Sequence, residues 1–146
     1  MDNGTIPEST DLGRRAHRRL RTEPVVWLTT VGRDGTPQPN PVWFVWEDDA
    51  EGGALLTYTQ ADAHRLAHIR RNPRVSLHFD SDGQGGDIIV LTGHAQILAD
   101  HPAASEHPPY LDKYREGIAR LSGTPEAFAA RYSVPVRIRP TRLRGF

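Results

Sequence analysis

The stretch Pro37–Glu47, PQPNPVWFVWE, limits the possible architectures more than any other part of the chain. Its first half alternates proline with polar residues. Proline cannot donate a ladder hydrogen bond, so Pro37–Pro41 belongs at a sheet edge or a bulge. Its second half, Val42–Trp46, is apolar without a break. Side chains alternate across a strand, which sends Val42, Phe44 and Trp46 to one face and Trp43 and Val45 to the other. Both faces must therefore be covered, one by the domain core and the other by a partner chain, a helix or a flat ligand. Val25/Trp27 and Val26/Leu28 repeat the two-faced pattern.

Elements on either side can be placed around this strand. Asp11–Arg21 reads as a helix capped by Asp11, with Leu12, Ala16 and Leu20 at helical spacing. Val25–Val31 reads as a strand, and Asp34-Gly35 turns it back into Pro37–Glu47. Leu55–Phe79 reads as strand, short helix, strand. In it, Ala54–Gln60 is β-prone, Asp62 caps a helix over Ala63–Arg71, Asn72-Pro73 ends that helix, and Val75–Phe79 is the second strand. After the loop Asp80–Asp87 comes a long strand, Asp87–Leu98. Ala103–Leu121 is helical with an early break at Pro108-Pro109 and an apolar stripe of Tyr110, Tyr114, Ile118 and Leu121. Thr124 caps a last helix over Pro125–Tyr132, and Ser133–Arg139 alternates as a strand. The count is six strands and three to four short helices. It describes a mainly β, antiparallel barrel or sandwich with helices at its ends. Residues 11–146 form one domain behind a flexible tail, 1–10.

Composition narrows the chemistry. Formal net charge is zero over 146 residues, so there is no overall pull toward nucleic acid or an anionic membrane. The arginines of Asp11–Arg21 read as a solvated helix face. There is no cysteine, which excludes disulfides and thiolate chemistry. No apolar run approaches the roughly 20 residues of a membrane helix, and a cytoplasmic location is expected. His64 and His68 stand at i, i+4 but lack the HExxH-type glutamate and a third ligand, so no metal is expected. No serine has an evident base, and the acids Asp80, Asp82 and Asp87 lie in a loop. No catalytic side chain is assigned; an enzyme built this way would rely on a bound cofactor. The start of the Ala63–Arg71 helix offers the best anchor for one. Leu66 and Ile69 take one side, leaving His64, Arg65, His68 and Arg71 for the others. Free first-turn amides, the helix dipole, His64 and Arg65 together suit a phosphate or carboxylate, and the plainer alternative is a solvated basic face.

The segments WLTTVGRDGTPQPNPVWFVWE, TYTQADAHRLAHIRRNPRVSLHFD, GGDIIVLTGHAQI and TPEAFAARYSVPVRIRPTRLRGF resemble the pyridoxamine 5′-phosphate oxidase-like superfamily. Within it they look most like the actinobacterial branch of coenzyme F420-dependent enzymes. The resemblance implies an FMN-binding split barrel that forms a homodimer with two cofactor sites at the interface. It places a tricyclic ring along Val42–Phe44, with Asn40, Pro41, Trp43 or Thr57 about it. It places the cofactor phosphate near Thr57, Tyr58, Thr59, His64 and Arg65, with Arg71 close by. Arg65 stands where relatives commonly carry lysine, and Asp62 adds a negative charge nearby unless it is engaged in capping. Arg137, Arg139 and Arg142 are candidates for an acidic cofactor tail. The implied function is hydride transfer from reduced F420 to an unsaturated small-molecule acceptor. The alternatives are an FMN-dependent reductase or pyridoxamine-phosphate-type oxidase, and a non-enzymatic flavin, deazaflavin or haem carrier.

Overall fold

The chain from Pro37 to Glu47 does not run as one strand. In the computed structural model, which describes residues 6–146, it splits at Trp43-Phe44. Pro37–Val42 (β2) pairs antiparallel with Val26–Val31 (β1), whereas Val45–Glu47 (β3) pairs with Ala54–Thr59 (β4). The remaining strands are Arg74–His78 (β5), Ile89–Ile97 (β6) and Val134–Gly145 (β7). Their order in a single seven-stranded sheet is β2-β1-β5-β6-β7-β4-β3. The two outermost strands are thus consecutive in sequence, and the two residues between them bridge the sheet's edges. That bridge curls the sheet into a split barrel. Seven strands replace the expected six because this one is divided.

Side chains take over where the ladder stops. Thr57 Oγ1 donates to the Trp43 carbonyl at 2.7 Å. The Tyr114 hydroxyl accepts from the Phe44 amide at 2.7 Å and has the carbonyls of Phe44 and Pro24 in reach at 2.7 and 2.8 Å. Lys113 Nζ donates to the same Phe44 carbonyl at 2.8 Å and lies 3.8 Å from the centroid of the Phe44 ring. Buried peptide groups need partners, and these three side chains supply them at the seam.

The expected edge placement of the prolines holds. Pro37, Pro39 and Pro41 lie on the open edge strand, which leaves Gln38, Asn40 and Val42 as its N–H donors. The alternation beyond them also holds. Val42, Phe44 and Trp46 join the core inside the barrel with Val26, Leu28, Leu55 and Ile138. Val45 and Trp43 join a second cluster with Leu56, Tyr58, Tyr110, Tyr114 and Phe128. That second face is covered by the chain's own helices, Pro108–Ser122 (α3) and Pro125–Arg131 (α4). Of the three covers the strand pattern allowed, a helix lies over this face.

Helix starts differ from expectation by a residue or two. The first helix, Asp11–Thr22 (α1), is capped by Thr10, whose side chain accepts from the Gly13 amide, and not by Asp11. The second, His64–Arg71 (α2), starts after Ala63, and no side chain caps it. Asp62 is exposed and takes no capping role. The last strand runs on past Arg139 through Pro140 to Gly145, and its register with β6 shifts between Thr92 and Gly93, where Thr141 of β7 is the extra residue. A Cβ on Gly93 would collide with the Arg139 carbonyl, so this close approach requires glycine. Of the expected tail, residues 1–5 lie outside the described residues, and Ile6 is buried against the main core. No helix among the described residues is long and apolar enough to cross a membrane.

Burial at the seam sets a pH dependence. It pushes the Lys113 ammonium from its ordinary 10.5 down to about 8, and it pushes the Tyr58, Tyr110 and Tyr114 phenols up. Between about pH 8 and 10.5 the unfolded lysine holds a proton that the folded one has released, so stability rises with pH in that window. Once unfolded tyrosines begin to ionise at about pH 10, the buried ones do not follow, and stability falls again. Urea midpoints across this range should pass through a maximum. Lys113→Met should remove the rising limb and leave the falling one.

Candidate functional site

A cavity of about 300 Å³ lies where the seam meets α2, α3 and α4. One wall is Pro41, Val42 and Trp43, set there because β2 ends as the chain leaves the sheet edge. β4 and the residue after it contribute Tyr58 and Gln60, and α2 contributes Arg65 from its first turn. The helices supply Tyr110, Leu121 and Phe128, followed by Tyr132 just past α4. Trp43 is held flat in this wall. Its ring stacks on Tyr114 at 4.7 Å and 1° and on Phe128 at 5.8 Å and 14°, and Phe128 stacks in turn on Tyr132 at 4.6 Å. A Cβ on Gly117 would sit 2.7 Å from the Trp43 ring, so glycine lets α3 close over it. The result is a slot bounded by aromatic faces in fixed orientations, suited to a planar ring system.

Arg65 supplies the polar end. It is half-buried, and burial holds its guanidinium below the ordinary value. Among the described residues it makes no hydrogen bond or ion pair. Three arginines elsewhere in the chain show the contrast. Arg15 and Arg19 both meet Asp87, at 2.7 and 3.4 Å, and Arg139 meets Asp49 and Glu51 at 2.9 and 3.3 Å. A partly desolvated guanidinium without a carboxylate is costly, and an anion at the cavity mouth would relieve that cost. The start of α2 has no side-chain cap; the Leu66 amide donates to the Ala63 carbonyl at 3.2 Å, and the amides of His64 and Arg65 precede it.

The expected site residues divide into three groups. Pro41, Val42, Trp43, Tyr58 and Arg65 come together in the cavity wall. Thr57 and Thr59 are buried; Thr57 holds the seam, and Thr59 Oγ1 has no partner among the described residues. Asn40 and His64 are exposed beside the cavity wall without lining it. Arg71 is the outlier. It lines a separate open groove with Arg33, Asn72, Arg74 and His94. Of the tail candidates, Arg139 is already paired as above, Arg137 is half-buried and Arg142 is exposed. His68, paired with His64 by spacing, lies 2.9 Å through Nδ1 from Thr30 Oγ1 and so ties α2 to β1. Sequence reasoning missed Gln60, Tyr110, Leu121, Phe128 and Tyr132. The signal for four of them was an apolar or aromatic helix-face pattern, which reads the same for core packing as for a cavity wall.

The seven-stranded split barrel and its aromatic slot can be set beside known proteins. A sequence profile described as pyridoxamine 5′-phosphate oxidase matches residues 13–144. The chain belongs to that family. Solved structures share the fold at low identity. An F420 reductase is 23% identical, covering 95% of this chain and 98% of its own, with a TM-score of 0.67. A conserved hypothetical protein from Mycobacterium tuberculosis is 22% identical over 97% of this chain and 86% of its own, with a TM-score of 0.65. A FAD-binding protein from Mesorhizobium loti is 22% identical over 89% of this chain and 88% of its own, with a TM-score of 0.57. No curated protein gave a significant match.

Proposed function

We propose that the protein is an oxidoreductase that binds the deazaflavin coenzyme F420 and reduces an unsaturated small-molecule acceptor. The observation that carries this reading is Arg65, a half-buried guanidinium without a protein partner at one end of an aromatic slot. A flat ring joined to a phosphate meets both requirements at once. Pockets for such ligands span about 300–1,000 Å³. At about 300 Å³ the slot accepts the ring system and leaves the charged arm to run out past Arg65. The F420 reductase of the same fold favours a deazaflavin over FMN.

Each residue then has a task. Pro41, Val42 and Trp43 form the floor against the ring, and the stack of Tyr114, Phe128 and Tyr132 keeps that floor rigid and dry. Gln60 lies at the slot's edge, and the Tyr58 ring lines it while its hydroxyl donates to the Pro102 carbonyl at 2.9 Å. Arg65 and the α2 amides bind the phosphate in a charge-assisted way. When bound, the deazaflavin supplies the hydride. No side chain is assigned as proton donor, and solvent suffices for that step. The reading includes a homodimer in which a second copy lies along the open β2 edge, where Asn40 and the prolines are exposed.

Titration of purified protein with F420 and, separately, with FMN tests the assignment through quenching of tryptophan emission. The expected result is saturable quenching by F420, one per chain, with FMN at least about tenfold weaker, a gap of ~1.4 kcal/mol. Light scattering should give a dimer. Tighter binding of FMN would transfer the reading to the flavin reductases, and no quenching by either would overturn it.

A further inference from the structure

A second constellation lies outside this slot, on the far side of Tyr58. We propose that Glu47, His101 and His107 form a binding site for one divalent transition-metal ion of the zinc type. Each of the three presents a donor atom within 4.8 Å of the other two. They come from three separate parts of the chain: the last residue of β3, the segment after β6 and the residue preceding α3.

The state of His107 is the first argument. Its Nε2 is buried and has no hydrogen-bond partner among the described residues, although Glu47 Oε2 stands 3.5 Å away. His107 occupies the N-cap position of α3 yet makes no side-chain capping bond. Pro108 and Pro109 follow it and offer no N–H to cap, so its imidazole is free of the usual helix-start duty. A buried ring nitrogen left in this way calls for a partner, and a metal ion would be one.

His101 supplies the second argument. Its Nδ1 lies 2.9 Å from the Pro102 carbonyl, which also accepts from the Tyr58 hydroxyl at 2.9 Å; since a carbonyl can only accept, the tautomer that satisfies this contact carries its proton on Nδ1. That leaves the Nε2 lone pair available, the arrangement in which a ligating imidazole is oriented by a carbonyl behind it. The two imidazole rings are 5.5 Å apart and inclined at 60°. Metal–ligand bonds of about 2.0–2.1 Å put tetrahedral donors about 3.3 Å apart. The Glu47–His107 separation of 3.5 Å is already close to that. Two imidazoles and a carboxylate with no thiolate match zinc bound by three protein ligands with the fourth position open to water. An ion here would fasten the start of α3, and with it Tyr110, to β3.

The test uses full-length protein stripped with a chelator and then titrated with Zn²⁺ against a chromophoric competitor, and with Co²⁺ followed by visible absorption. One equivalent per chain should bind, Co²⁺ should show the intense spectrum of four-coordination, and Zn²⁺ should raise the melting temperature. Loss of a supporting residue lowers metal affinity by roughly 10–100-fold. Glu47→Gln and His101→Gln, which remove ligands, should each exceed that and abolish the thermal shift. His94→Ala, at an exposed histidine elsewhere, should change nothing. Thermal melts without metal establish that the variants fold. Absent binding, a weak six-coordinate Co²⁺ spectrum, or affinity unchanged in both folded ligand variants would overturn the site.

Discussion

Tyr114→Phe should destabilise the fold by about 2–4 kcal/mol, because each buried polar group left without a partner costs about 1–3 kcal/mol. The phenolic oxygen is the acceptor for the Phe44 amide and, through its single proton, a donor to a carbonyl of Phe44 or Pro24. The phenylalanine ring retains the packing against Trp43 and Tyr110, so the loss isolates the hydroxyl. Urea denaturation should show a lower midpoint at an unchanged slope. A midpoint equal to wild type would mean that Lys113 and Thr57 alone hold the seam.

Arg65→Ala should act in the opposite place. It is expected to weaken F420 binding by about 1.5–3 kcal/mol, as loss of a charge-assisted contact does, while folding stability stays level or rises. The rise follows from removing a half-buried charge that no protein group neutralises. Arg65→Lys should recover part of the affinity, since it keeps the charge and loses the planar fork. Isothermal titration paired with urea melts separates the two effects. Affinity unchanged in Arg65→Ala would place the phosphate elsewhere.

What could be read from the amino acids alone followed the range of the interactions involved. The alternation of Val42, Phe44 and Trp46 against Trp43 and Val45 depends on strand geometry within five residues, and it appears in the two cores as expected. Arg65 at a helix start is equally local. The split between β2 and β3 is not local. It depends on Thr57, Lys113 and Tyr114, the last two nearly 70 positions from the peptide groups they satisfy, and no local preference in VWFVW signals a break. Asp62 illustrates a smaller failure. A good capping residue stands one position before Ala63, which is the residue that occupies the cap position of the helix. The slot's far wall was hidden for another reason. Tyr110 and Phe128 pack the second core with one part of their surface and face the cavity with another, and helical spacing cannot divide a side chain between two roles.

Trp43 is both the floor of the slot and one of the two residues that bridge the barrel's edges. Occupancy and closure are therefore a single mechanical event. A guest pressing on that indole braces the join between β2 and β3, and a loosened join tilts the floor beneath the guest. Amide exchange at Phe44, whose N–H is held by the Tyr114 hydroxyl, should consequently slow when the slot is filled.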